Sequence, residues 1–200
     1  MLLIARHGET EWNVKGRKQG RADSPLTRRG VAQARDIAAL VASIGIDRLY
    51  TSPLGRARRT AAIIAEATGR TPEVDRRLAE CDYGACQGLT AAEIEERFPG
   101  LIARRAADKW SVPWPLGESY ANLWRRAAAF ATDVLHGGDE QAAGRVCIVA
   151  HEALNRTLVG YLMGLTRQQF LDLEQPHRVV FRCDGGAFTR LEPLTAGEPQ

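Results

Sequence analysis

The chain has 200 residues, enough for one sizeable core, of which 44% are apolar and 26% charged, the composition of an ordinary soluble globular protein. Its formal charge of +3 is small and its cations are scattered. That argues against nucleic-acid and membrane-surface binders, which mass their basic residues in one patch.

In chain order, Leu2–Ala5 is a short apolar run that reads as a buried strand and is too short for a signal peptide. No window approaches the length of a membrane span, so the cytoplasm is the expected compartment. Thr27 caps a helix with Val31, Ala34, Ile37, Ala38 and Val41 on one face and Gly45 just beyond its end. Arg48–Thr51 reads as a second buried strand, followed by a helix from Arg56 to Thr68 that stops at Gly69. Further helices are expected near Ala91–Phe98, Tyr120–Leu135 and Ala153–Gly164, and strands at Val146–Ala150 and Val179–Arg182. One domain over 1–192 and a frayed tail over 193–200 complete the expectation. The four cysteines, Cys81, Cys86, Cys147 and Cys183, match no common zinc spacing and read as reduced thiols packed in or near the core.

Strands alternating with helices indicate an α/β fold with a mainly parallel sheet, and such sheets bind ligands at the carboxyl ends of their strands. Three of the expected strands end in Arg6-His7, Thr51-Ser52 and Ala150-His151. Gly8 would let the backbone approach an anion closely, and Arg56 opens a helix whose N-terminus already favours one. The Leu78–Gly84 loop adds Glu80 and Asp82. Two arginines, two histidines and a carboxylate suit phosphoryl transfer better than acyl transfer. An arginine fork matches phosphate oxygens in pairs. A neutral imidazole can hold the phosphoryl group covalently, and a carboxylic acid can protonate the leaving oxygen. Each element alone is weak; three strand ends presenting the right residue together are specific.

These residues also resemble the histidine phosphatase superfamily, which includes cofactor-dependent phosphoglycerate mutases, fructose-2,6-bisphosphatase and many small bacterial phosphatases. The likeness runs from Leu3-Ile4-Ala5-Arg6-His7-Gly8-Glu9-Thr10 and Glu11-Trp12-Asn13 through Pro25-Leu26-Thr27 and Ser52-Pro53-Leu54-Gly55-Arg56-Ala57. It continues through Leu78-Ala79-Glu80, Tyr83-Gly84, Gln87-Gly88-Leu89-Thr90 and Gly117-Glu118-Ser119 to Val149-Ala150-His151. The resemblance implies a three-layer α/β/α sandwich of phosphoglycerate mutase type. It implies that His7 is the nucleophile that becomes phosphohistidine. Arg6, Arg56 and His151 would complete the phosphoryl pocket, Thr10 and Asn13 would touch phosphate or substrate, and Glu80 would be the proton donor. It implies no metal and, among the phosphatases, no organic cofactor; the partner is a small phosphorylated metabolite, and a homodimer is compatible with the family.

One departure stands out: the family usually has glycine after the second histidine, and here Glu152 follows His151. Glu152 either points to solvent, weakens anion binding or reads an amine on the substrate. The cationic neighbours should keep His7 neutral and Glu80 ionised in the free protein, so that Glu80 gains its proton only with substrate. Asp82 is the competing acid or a solvated loop carboxylate. Trp110, Trp114 and Trp124 form either a lid or a packed insertion. Lys15, Arg17, Lys18 and Arg21 either meet an acidic substrate or lie in solvent. His136 and His177 have no visible partners and read as bystanders. A mutase using the same phosphohistidine and a non-catalytic phosphate-binding protein are the alternative functions, and the particular phosphomonoester stays open.

Overall fold

The computed structural model describes residues 1–136, the side chain of His136 excepted, and 144–193. The tail expected over 193–200 lies outside the described residues from 194 onward, as does the side chain of His136. Six strands form one sheet in the order β3-β2-β4-β1-β5-β6. They are β1 (Leu2–Arg6), β2 (Arg48–Thr51), β3 (Pro72–Val74), β4 (Val146–Ala150), β5 (Val180–Asp184) and β6 (Ala187–Leu191). The pairs β1·β4, β2·β4 and β2·β3 are parallel, whereas β5 joins β1 antiparallel and β6 joins β5 antiparallel. The mainly parallel α/β sheet is therefore as the sequence indicates.

Alternation along the strands divides the core between two faces. Leu3, Ala5, Leu49, Cys147 and Val149 face one side. They meet Ala34, Ile37 and Val41 of α2 (Arg28–Ile44) and Ala57, Ala61 and Ile64 of α3 (Gly55–Thr68). Leu2, Ile4, Tyr50, Ile148 and Ala150 face the other side, against Leu123 and Phe130 of α6 (Tyr120–Phe130) and Leu154 and Leu158 of α7 (Glu152–Leu162). Strand β4 is buried along its whole length, which is why it reads as an unbroken apolar run.

Several boundaries differ from the sequence expectation. The helix expected to run to Leu135 ends as α-helix at Phe130 and continues as a π-helical stretch, Ala131–His136. The helix expected near Ala91–Phe98 is α4 (Ala91–Arg97), whereas other short elements escaped the pattern: α1 (Glu11–Val14), α5 (Leu101–Ala107), which closely follows α4, and α8 (Arg167–Leu171). The last three hold four to seven residues each, too few for a helical period to repeat convincingly. The edge strands β3 and β6 are largely exposed and lack an apolar run. Gly185 and Gly186, both at positive φ, make the tight turn between β5 and β6 that a two-residue hairpin requires.

Candidate active site

Because β2, β4 and β1 lie side by side and parallel, their carboxyl ends deliver Ser52, His151 and His7 to one place. The His7 N–H donates to the Ala150 carbonyl at 3.0 Å and the Ser52 N–H to the Val149 carbonyl at 3.0 Å, extending the ladder to the site itself. The imidazole rings of His7 and His151 stand 5.1 Å apart between centroids.

His7 is buried, and its Nδ1 lies 2.8 Å from the Gly8 carbonyl. A carbonyl only accepts, so the ring proton sits on Nδ1 and the lone pair on Nε2. That lone pair receives the Nε–H of Arg56 at 3.3 Å. Burial, then Arg56, Arg6 and His177, push the His7 pKa well below the ordinary imidazole value. His151 is fully buried and likewise depressed well below it, by burial, Arg56 and His7. Its Nε2 bonds Ser52 Oγ at 2.7 Å, whereas its Nδ1 is buried with no protein partner. His7 is thus neutral, as the charge argument expects.

The two arginines are held very differently. The Arg6 Nη1 donates to the Gln175 carbonyl at 2.8 Å and pairs with Glu152 at 2.9 Å, while its Nε is buried without a partner. Arg56 is 2% exposed, and its guanidinium is held by the loop beneath it: Gly20 and Ala22 carbonyls at 2.7 Å and Asp23 at 2.9 Å. Asp23 also accepts the Arg56 backbone N–H at 3.3 Å, at the start of α3, a helix whose N-cap Leu54 offers no side chain of its own.

Glu80 follows the 3-10 turn Arg76–Leu78 and is buried; its carboxylate accepts from the Cys81 N–H at 2.8 Å and the Ala153 N–H at 3.4 Å. The cationic neighbours do not set the direction of its pKa shift, contrary to what the charge argument expected of them. Burial raises its pKa and outweighs the lowering by the Cys81 N–H, Arg56, the Ala153 N–H and Arg6, because desolvation penalises the charged form most where no water reaches it. Asp82 spends one oxygen on the Gly84 N–H at 2.8 Å and faces Arg21 at 3.4 Å.

A cavity of about 520 Å³ opens here, lined among others by Arg6, His7, Asn13, Arg56, Glu80 and Glu152. Thr10 and His151 are not in that wall. Thr10 is fully buried, its hydroxyl engaged by Gln19 at 2.8 Å and Asn13 at 2.9 Å in the capping box of α1. Glu152 does not turn to solvent: it bridges Arg6 and Arg156, the latter at 2.6 Å. Gly8 is required for a reason other than the one inferred from sequence. A Cβ there would lie 2.2 Å from the Gly30 carbonyl oxygen of α2, so it serves a backbone-to-backbone contact.

Of the loop cations, Arg17 pairs with Glu93 and Arg21 with Glu118, while Lys18 lines the cavity. Trp110 and Trp124 pack with Phe170, and Trp114 lines the cavity against Tyr83 and Arg105. The tryptophan segment therefore both packs and lines.

Sequence reasoning missed two groups. His177 is no bystander: its Nδ1 donates to the His7 carbonyl at 2.8 Å and its ring is 5.4 Å from that of His7. Gln175 is buried and ties the end of β1 to the β5 entry, donating to Ile4 and Val179 carbonyls and accepting from Asn155. Both sit in an irregular stretch with no periodic signal, 170 or so positions from the residues they hold.

The family model described as the histidine phosphatase superfamily (branch 1) matches residues 2–190. The chain is 31% identical over 188 residues to phosphoserine phosphatase 1 of Hydrogenobacter thermophilus, covering 94% of this chain and 84% of that one. It is 36% identical over 164 residues to a probable phosphoglycerate mutase of Klebsiella pneumoniae, covering 82% and 75%. Among solved structures, a mycobacterial glucosyl-3-phosphoglycerate phosphatase superposes with TM-score 0.81 at 29% identity over 96% of each chain. The alpha-ribazole phosphatase of Shigella flexneri shares the fold, with TM-score 0.83 at 22% identity over 96% of this chain and 95% of that one.

Proposed function

The chain belongs to the histidine phosphatase superfamily, and on that premise we propose that it hydrolyses a small phosphomonoester through a phosphorylated His7. The observation that carries this reading is a neutral His7 beside two buried donor positions that no protein atom satisfies, Arg6 Nε and His151 Nδ1. Buried donors need partners, and two left unpaired on residues packed around a nucleophilic histidine suit the oxygens of a phosphoryl group.

In the first step His7 Nε2 attacks phosphorus, the ester P–O bond breaks, and the leaving oxygen takes the proton of Glu80. Burial raises the Glu80 pKa, the direction that favours its role as that acid. In the second step the Glu80 carboxylate accepts a proton from water as the water attacks phosphorus. The P–N bond breaks and neutral His7 returns with inorganic phosphate. With Ser52 as donor in its 2.7 Å contact with His151 Nε2, the His151 proton sits on Nδ1, the ring nitrogen that has no protein partner.

Beyond the phosphoryl pocket the cavity wall is cationic. Arg105 is 5% exposed, stacks on Trp114 at 4.1 Å, bonds the Val112 carbonyl and meets no carboxylate among the described residues. Lys18 and Lys109 line the same cavity. This favours a substrate with a second anionic group, the chemistry shared by phosphoserine and phosphoglycerate derivatives. Four buried free cysteines fit a reducing, cytoplasmic compartment; among the described residues no helix is long and apolar enough to cross a membrane.

The test is phosphate release from a panel of phosphomonoesters with chelator present, run on the parent and on His7→Ala. Release by the parent, trapped phosphate on His7 and loss of both in the variant support the reading. Turnover of the best ester by His7→Ala at the parent rate overturns it. Interconversion of phosphoglycerates primed by bisphosphoglycerate, without phosphate release, would make the enzyme a mutase, as the Klebsiella relative's name suggests for that protein.

A further inference from the structure

The Glu80 loop is gripped from outside the cavity, and the grip converges on one side chain. Arg126, on α6, donates from Nη1 to the carbonyls of Arg77 and Ala79 at 2.7 Å each, and from Nη2 to the Glu80 carbonyl at 3.0 Å. Its Nε and Nη2 also bind the two oxygens of Glu118 at 3.0 and 2.8 Å. Glu118 passes the hold onward: its carboxylate accepts the Asp82 N–H at 2.9 Å, and its own N–H donates to the Asp82 carbonyl at 2.8 Å. The backbone on both sides of Glu80 is thereby tied to one guanidinium and its paired carboxylate. Neither Arg126 nor Glu118 lines the cavity.

We propose that Arg126, acting with Glu118, is the positioning residue that sets where the Glu80 carboxyl stands relative to the leaving oxygen. This rests on the reading of Glu80 as the proton donor. A planar guanidinium is suited to the task because its five N–H donors lie in one rigid fork. Here they reach three backbone carbonyls and a carboxylate at once. A lysine has one nitrogen and cannot span them. Among the described residues the carboxyl bonds only backbone N–H groups, of Cys81 in its own loop and of Ala153 in α7, so its place depends on the course of that backbone. Proton donation requires heavy atoms within hydrogen-bond reach, and a displacement of about 1 Å from a remote change costs on the order of 10²-fold.

The prediction concerns which esters suffer. A leaving group that departs readily as an anion needs no acid, whereas a poor one depends on it. Phenyl phosphate and 2,4-dinitrophenyl phosphate are therefore mixed rapidly with the parent, Arg126→Gln and Arg126→Lys, and the first burst of phenol is timed as His7 is phosphorylated. The expected result is a loss of about 10²-fold with phenyl phosphate and a burst near the parent rate with the dinitrophenyl ester. Glu80→Gln should show the same ester dependence, and the double variant should be no worse than Glu80→Gln alone. Equal losses on both esters, or none on either, in a variant that melts near the parent temperature overturn the proposal. Arg126→Lys retains the charge and serves if Arg126→Gln does not fold. A parent that phosphorylates His7 with both esters but loses nothing in Glu80→Gln overturns the assignment of the acid itself, a result separate from the behaviour of Arg126.

Discussion

The Nε–H of Arg56 points at Nε2 of His7 across 3.3 Å, while its Nη1 and Nη2 both donate to the Gly20–Asp23 loop. One side chain therefore fixes the nucleophile's lone pair and ties down the loop flanking it. A lysine at position 56 would supply charge but neither the fork nor the reach to three acceptors. Arg56→Lys is expected to lower kcat/KM by about 10²–10³-fold. It should also destabilise the fold by about 1–3 kcal/mol, because Asp23 and the Gly20 and Ala22 carbonyls lose partners. Steady-state kinetics and urea denaturation measure the two effects separately.

Glu152 should act as a brake on phosphate affinity. Its carboxylate neutralises Arg6 and Arg156 at 2.9 and 2.6 Å inside the cavity that receives the substrate. Replacing it by glycine removes one negative charge beside the phosphoryl position. Inorganic phosphate is then expected to inhibit about tenfold more tightly, roughly 1.4 kcal/mol, with a parallel fall in KM. Weaker inhibition in Glu152→Gly would mean that the carboxylate chiefly holds Arg6 in place.

The pH dependence of stability follows from two buried imidazoles, His7 and His151, and the half-buried one of His177. His7 and His151 lie well below the ordinary histidine pKa, and burial, chiefly, brings His177 down to about 4. In the unfolded chain each takes up a proton below about pH 6.5; in the folded protein each resists. The unfolded state thus binds more protons, and stability present at neutral pH is lost as pH falls from about 6.5 toward 4. Each histidine contributes up to about 1.4 kcal/mol per pH unit in that window. The raised pKa of Glu80 acts oppositely, costing stability as pH rises above the ordinary carboxyl range. Urea unfolding at intervals from pH 7 to 4 should show the decline, and His177→Asn should remove about one proton's worth of its slope.

Much of this site could be read from the chain, for a physical reason. Arg6-His7, Thr51-Ser52 and Ala150-His151 each follow an apolar run short enough to be a buried strand, and parallel strands put such ends on one edge. Arg56 announced itself by opening a helix that ends at Gly69, where φ is +68°. Glu80 could be named but not the direction of its pKa shift: its cationic neighbours are visible in the sequence, while the depth of its burial is not. Gly8 was legible as a special position but its contact with Gly30 was not, since that partner stands 22 residues later on another element.

The sequence by itself determined the four inner strands of the sheet, its main helices and the candidate phosphoryl-handling side chains, because hydrophobic periodicity and strand-end placement are local properties. The tertiary structure alone decided how those side chains are held. His177 against the His7 carbonyl, Gln175 across the end of β1, Glu152 turned onto Arg6 and Arg126 beneath the Glu80 loop are contacts between distant segments. A hydrogen bond between distant segments leaves no period in either, and desolvation is a property of the packed whole.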